Sequence, residues 1–297
     1  MNGTFNRLLD GAPYVAPAPP PSGDAYAATV CLIGAPDVLR ATFDDVCAVP
    51  VPEATIRADS GNESYSPLPY KDLMGATRSI FAERLNLEPL SESYALARGG
   101  KQMFAKVVFP FNESQGYSVV VRSSYNRTIS NQVGCGLNTF VCANGMFRGT
   151  DLLKLKHTAG SYDRIPAMLR EMADRTPRAV REMADRLASW GDVPMADTFF
   201  YAYAGIALGL GYITPSQHSS ALKYWHACQV GDLHDAHGTP TLSSGFQALT
   251  GGLHRAPPQS VFQQFAQVDD LTGRLADSGG SALTEVPAFT LEIEDFE

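Results

Sequence analysis

Tyr117 to Gly160, YSVVVRSSYNRTISNQVGCGLNTFVCANGMFRGTDLLKLKHTAG, is the stretch on which the fold turns. Tyr117 to Val121 is a β-branched and aromatic run and Thr139 to Cys142 a second apolar run; Gly134, Gly136, Asn144 and Gly145 supply turn chemistry between and after them. This pattern predicts two paired strands with a long basic connection. The connection carries Arg122, Tyr125 and Arg127, the stretch after the second run adds Arg148, Lys154, Lys156 and His157, and Asp151 is the only carboxylate from 117 to 160.

Upstream, Tyr94 to Arg98, a Gly99-Gly100 turn and Lys101 to Phe109 form a hairpin signature. Its second strand alternates Lys101, Met103, Ala105 and Val107 against Gln102, Phe104, Lys106 and Val108. Tyr70 to Leu85 has apolar residues at helical spacing, Leu73, Met74, Ala76, Ile80, Phe81 and Leu85. Earlier still, Tyr26 to Ile33 and Val51 to Ala58 read as strands and Pro36 to Phe43 as a short helix, while the proline-rich Pro13 to Ser22 is extended.

Downstream the chain turns helical. REMADR occurs twice, at Arg170 to Arg175 and Arg181 to Arg186, and an offset of 11 residues places both copies on one helix face. Thr176-Pro177 between them predicts a kink or a new helix capped by Thr176. The repeat reads either as an arginine ladder for nucleic acid or as a surface helix pairing its own charges at three- and four-residue spacing. Met195 to Leu210, Pro215 to Cys228 and Ser260 to Leu275 are packing helices, with Trp190 and Trp225 as core anchors. The class expected is α+β, an antiparallel sheet with a basic hairpin surface followed by a helical C-terminal half. Four regions follow: an N-terminal arm and Pro-rich linker at 1–23, an α+β core at 24–160, a helical region at 161–275 packed on it, and an acidic tail at 276–297.

The charge is segregated. The chain has a formal net charge of −8, yet Arg98 to Arg186 holds 14 Lys or Arg against 7 Asp or Glu, leaving 9 bases against 24 acids elsewhere. A basic middle in an acidic protein is the electrostatic footprint of a phosphate-backbone binder, and the competing reading is a solvated face matched by its own acids. No basic start followed by an apolar segment marks a secretory signal, the longest apolar stretch, Thr198 to Ile213, is broken by Gly205, Gly209 and Gly211, and five scattered cysteines suit reduced thiols. The expected location is the cytoplasm, with no membrane partner.

Catalytic motifs are missing: there is no GxGxxG, GxxxxGK, GxSxG or HExxH. His226, Cys228, His234 and His237 lie within 12 residues, and a zinc site and a metal-free structural role both remain open, although the spacing fits no standard zinc module. No cofactor, metal or catalytic residue is assigned. At the far end, EVPAFTLEIEDFE (285–297) has five acids, no base and two phenylalanines. Such a tail competes with nucleic acid for a basic groove or recruits a partner protein, and its candidate contact residues are Glu292, Glu294, Asp295 and Phe296.

Three blocks, ALARGGKQMFAKVVFP (95–110), VVVRSSYNRTISNQVGCGLNTFVCANGMFRG (119–149) and LKHTAG (155–160), resemble the phage- and plasmid-encoded family of unknown function described as phage/plasmid-like protein. Where that family reads Asn-Ser-Tyr/His-Asp-Gly-Ser, this chain has Asn126 for the acid and Arg127 for the glycine, which favours anion binding over carboxylate chemistry. With the tail and the chain length, the resemblance extends to the Drc-like single-stranded-DNA-binding RNA polymerase cofactors of short-tailed phages. It implies a non-enzymatic, cooperative and sequence-nonspecific single-stranded-DNA-binding protein, acting in phage transcription or DNA replication and self-associating on DNA.

For phosphates the candidates are Lys101, Lys106, Arg122, Arg127, Arg148, Lys154, Lys156 and His157, and for stacked bases Phe104 and Tyr125. RNA polymerase or replication proteins are the partners expected at the tail. The alternatives are a single-strand-annealing recombination protein, a protein-interaction module, and a metal-dependent nuclease using Asp151 and Asp163.

Overall fold

A computed structural model describes residues 38–56, 63–113, 115–139, 151–158, 160–228, 240–253 and 261–278. The fold is α+β: a six-stranded antiparallel sheet, with a C-terminal half that is helical. In the first part, β1 (Leu39–Ala41), α1 (Phe43–Ala48), β2 (Thr55–Ile56), β3 (Glu63–Tyr65) and α2 (Tyr70–Leu85) precede a meander of β4 (Ser91–Ala97), β5 (Gln102–Pro110), β6 (Gln115–Ser124), β7 (Asn131–Thr139) and β8 (Asp151–Leu155). Helices α3 (Gly160–Gly191), α4 (Asp197–Gly209), α5 (Pro215–Cys228), α6 (Leu242–Gly252) and α7 (Val261–Asp277) complete it. The sheet order is β1-β4-β5-β6-β7-β8, and β2 and β3 form a separate ribbon.

Local chemistry explains most boundaries. Helix α1 starts late because Thr42 and Asp45 form a capping box, so the short helix expected over 36–43 is replaced by a strand, Leu39–Ala41, and then α1. Helix α2 matches its periodicity from first residue to last. It stops at Asn86, whose left-handed φ of 55° turns its N–H and that of Leu87 back onto the carbonyls of Glu83 and Ala82. The β4–β5 connection is tight because Arg98, Gly99 and Gly100 all have positive φ, and at Gly100 a side chain would meet Val49 at 3.3 Å.

The partner of β6 is a correction to the expected pairing. It is Asn131–Thr139, and the connection expected to be long is the six-residue turn 125–130. Gly134 and Gly136 lie inside β7, opposite Val120 and Ser118, rather than in a turn.

Register sorts the sheet into two faces. One carries Tyr94, Phe109, Tyr117, Val119, Val121, Val133 and Leu153, and α1, α2 and α3 pack there, with Phe43 on Tyr94 and Phe81 on Phe109. On the other, one row crosses all six strands: Arg40, Ala95, Phe104, Arg122, Gln132 and Lys154. From 103 to 109 and from 116 to 124 every residue is buried, so both faces of the central strands are inside the protein.

Helix α3 joins the two halves. Its buried residues Ile165, Leu169, Met172, Thr176, Val180, Met183, Leu187 and Trp190 recur at three or four positions over 32 residues, a span of about 48 Å. Pro177 neither ends nor restarts it, and Thr176, instead of capping a second helix, donates its hydroxyl back to the Met172 carbonyl at 2.9 Å. Trp190 packs on Phe246 of α6 and Trp225 stacks on Phe200 of α4, as core anchors. No helix among the described residues is long and apolar enough to cross a membrane.

Candidate nucleic-acid interface

Antiparallel order brings three connections to one end of the sheet: the β4–β5 turn, the β6–β7 turn and the β8–α3 link. Helices α2 and α3 also begin there. Exposed cations gather at this end, Arg98 and Lys101 from the first turn, Arg127 from the second, Lys154 and Lys156 from the end of β8 and Lys71 from the start of α2. Helix N-termini carry partial positive charge, which adds to the same potential.

Aromatic side chains hold these loops in place. Tyr70 and Tyr125 stack face to face at 3.9 Å with a 2° interplanar angle. Their hydroxyls exchange roles, the Tyr125 hydroxyl accepting from the Tyr70 N–H at 3.0 Å and the Tyr70 hydroxyl accepting from the Tyr125 N–H at 3.2 Å. The Tyr65 hydroxyl donates to the Tyr125 carbonyl at 3.0 Å, so β3, α2 and the β6–β7 turn are tied together. Burial pushes the Tyr125 phenol up to about 12, and it stays neutral at physiological pH.

Arg127 sits at the apex. Its φ of 65° is left-handed, a conformation that costs a non-glycine residue about 1–2 kcal/mol. The side chain is nonetheless ordered: its guanidinium lies over the Tyr65 ring at 4.1 Å and donates to the Thr55 hydroxyl at 2.7 Å. Beneath it, the His157 ring packs against Tyr65 at 5.5 Å and its Nε2 lies 3.0 Å from the Ile129 carbonyl.

The expected site residues therefore divide. Lys101, Arg127, Lys154 and Lys156 are exposed and share one end of the sheet. Phe104, Lys106, Arg122, Tyr125 and His157 are buried, none more than 9% exposed, which corrects the expectation that they contact phosphates or bases. Lys106 and Arg122 fall on the second face of the central strands, where desolvation pushes Lys106 down to about 8 and Arg122 down to about 10. Arg122 also spends its Nε–H on Gln132 Oε1 at 3.0 Å. Tyr125 has one ring face against Tyr70, and its hydroxyl is engaged. The local excess of bases and aromatics pointed to these residues, and composition does not report burial when both faces of the central strands are covered.

Arg148, Glu292, Glu294, Asp295 and Phe296 lie outside the described residues, as do Cys142, His234 and His237. His226 meets the Tyr201 hydroxyl at 3.3 Å, and no group of three potential metal ligands occurs among the described residues. The repeat faces as its spacing predicts, with Met172 and Met183 inward and the charges outward. Among the described residues five of those charges are paired: Arg175 with Glu171 at 3.2 Å, Glu182 with Arg178 at 2.7 Å, Asp174 with Arg84 at 3.3 Å and Arg186 with Asp269 at 2.6 Å. Two residues not singled out as ligands lie at the same end of the sheet. Tyr162, 36% exposed, stands at the start of α3 with its hydroxyl on the Pro67 carbonyl at 3.0 Å, and Arg98 flanks Lys101. Their sequence signal was position: each borders a stretch already recognised as basic.

Comparison with protein-family models, with curated proteins and with solved structures returned no match.

Proposed function

We propose that this chain binds single-stranded nucleic acid without sequence preference, using the loop-bearing end of its sheet. The observation that carries the reading is the convergence of Lys101, Arg127, Lys154 and Lys156 from separate segments onto one end of a rigid scaffold, beside the exposed ring of Tyr162. Phosphates neutralise against the lysines and arginines, and a base stacks on Tyr162 for about 1–3 kcal/mol. Order in the Tyr65, Tyr70 and Tyr125 cluster means little entropy is lost when the strand docks. No catalytic step is part of this reading. The acidic segment holding Glu292, Glu294, Asp295 and Phe296 serves as the site for partner proteins, and the setting proposed is a phage-infected cytoplasm, in transcription or replication.

Fluorescence anisotropy with labelled poly-dT and the matching duplex, over a salt series, tests it. The triple variant Lys101→Glu/Arg127→Glu/Lys156→Glu is expected to lose at least about tenfold in affinity and to flatten the salt slope by about 2, since each single-strand phosphate contact contributes about 0.7. Equal binding by wild type and variant would move the contact elsewhere. An absence of binding at low salt would make this end a protein-facing surface.

A further inference from the structure

The β6–β7 turn is pinned at Ile129. Its carbonyl takes the Ser124 hydroxyl at 2.9 Å and His157 Nε2 at 3.0 Å, and its N–H lies 2.8 Å from Ser124 Oγ. A carbonyl only accepts, so the imidazole proton sits on Nε2 and the second nitrogen, Nδ1, is a bare lone pair. Nδ1 is buried and has no hydrogen-bond partner among the described residues, and the residue as a whole is 8% exposed. Tyr65 of β3 packs on the ring and Arg127 of the turn acts on it; the end of β8 and the starts of α2 and α3, at the same end of the sheet, carry Lys156, Tyr70, Lys71, Asp72, Tyr162, Asp163 and Arg164. Burial, with the Arg127 guanidinium, opposes a positive ring and outweighs the Ile129 carbonyl, which favours one.

We propose that His157 is a positioning residue and an acid-operated latch: the neutral imidazole locks the β6–β7 turn and presents Arg127, and protonation at Nδ1 releases it. An imidazolium here brings a second N–H with no acceptor beside an existing cation. The ring relieves this by leaving the Ile129 carbonyl, and the turn loses one of its two pins. Folded His157 titrates below its usual value, so release occurs below about pH 6.5. The proposal rests on the nucleic-acid reading only for its effect on binding, because the latch itself is a property of the turn.

The experiment follows hydrogen exchange at the Ile129 amide, and poly-dT affinity at fixed ionic strength, between about pH 7.5 and pH 5, in wild type and His157→Gln. Gln keeps an N–H for the carbonyl and does not titrate, and it shares every other pH effect with wild type. The expected result is loss of Ile129 protection and roughly tenfold loss of affinity on acidification in wild type, relative to His157→Gln. Protection that persists in wild type at the acid end, or an identical loss in His157→Gln, overturns the latch. A turn that opens in wild type alone, with poly-dT bound at no pH, upholds the latch and overturns the nucleic-acid reading. If His157→Gln fails to fold, the wild-type imidazole titrated by NMR decides: coincident midpoints for the ring and Ile129 uphold the latch, and independent ones overturn it.

Discussion

Tyr125 and Lys106 were both expected as ligands and are both buried, for opposite energetic reasons. Tyr125 contributes to stability: its hydroxyl holds the Tyr70 N–H and its ring stacks on the Tyr70 ring. Tyr125→Phe keeps the stack and strands a buried donor, and should cost about 1–3 kcal/mol in urea unfolding. Lys106 is a burden carried by the sheet. Its ammonium is desolvated and titrates near 8, against an ordinary value of 10.5, so between those limits the unfolded chain holds more protons than the folded one. Stability must then rise with pH through that window until the buried tyrosines, whose protonated forms favour the folded state, begin to oppose it near pH 10. Lys106→Met should remove the rise and add about 1–3 kcal/mol near neutrality, read from urea midpoints at several pH values.

At the scale of elements, legibility followed periodicity. Tyr70–Leu85 and Pro215–Cys228 could be read to the residue because their apolar spacing is helical and their ends carry stop or start chemistry. Helix α6, LSSGFQALTGG, went unread, since its small and glycine residues look like loop and its helix signal is the Thr241–Ser244 capping box. The two glycines differ in what surrounds them: at Gly252 an added Cβ would lie 2.5 Å from the Gln217 carbonyl oxygen of α5, whereas at Gly245 it would meet the Met195 sulfur. A backbone oxygen stays put and a methionine tip swings away. Gly252→Ala is therefore expected to destabilise by about 1–3 kcal/mol, and Gly245→Ala to fall near neutral because alanine's better helix propensity offsets a small repacking. Paired urea melts of the two variants check the contrast. Strand β7 was misplaced for a related reason: Gly134 and Gly136 read as turn residues, while cross-strand pairing with β6 was the stronger force. The basic end was legible in composition and only half legible in detail, because burial depends on what lies on each side of a strand.

Across the whole molecule, the acidic and basic regions are separated in sequence and joined by one helix. Helix α3 begins at the basic end and reaches α6 in the helical half, with the Arg175–Glu171 and Arg178–Glu182 pairs along the way. The meander itself constrains how the protein is made. From β4 through β8 every strand pairs with its neighbour in sequence, and α2, which packs on the same face as α3, precedes all five. A nascent chain can thus zip its sheet one hairpin at a time as each strand leaves the ribosome, with little loop entropy to repay at each step. Synthesis has then laid down the β4–β5 and β6–β7 turns before α3 emerges to add Tyr162, and the helical half is the last to be made.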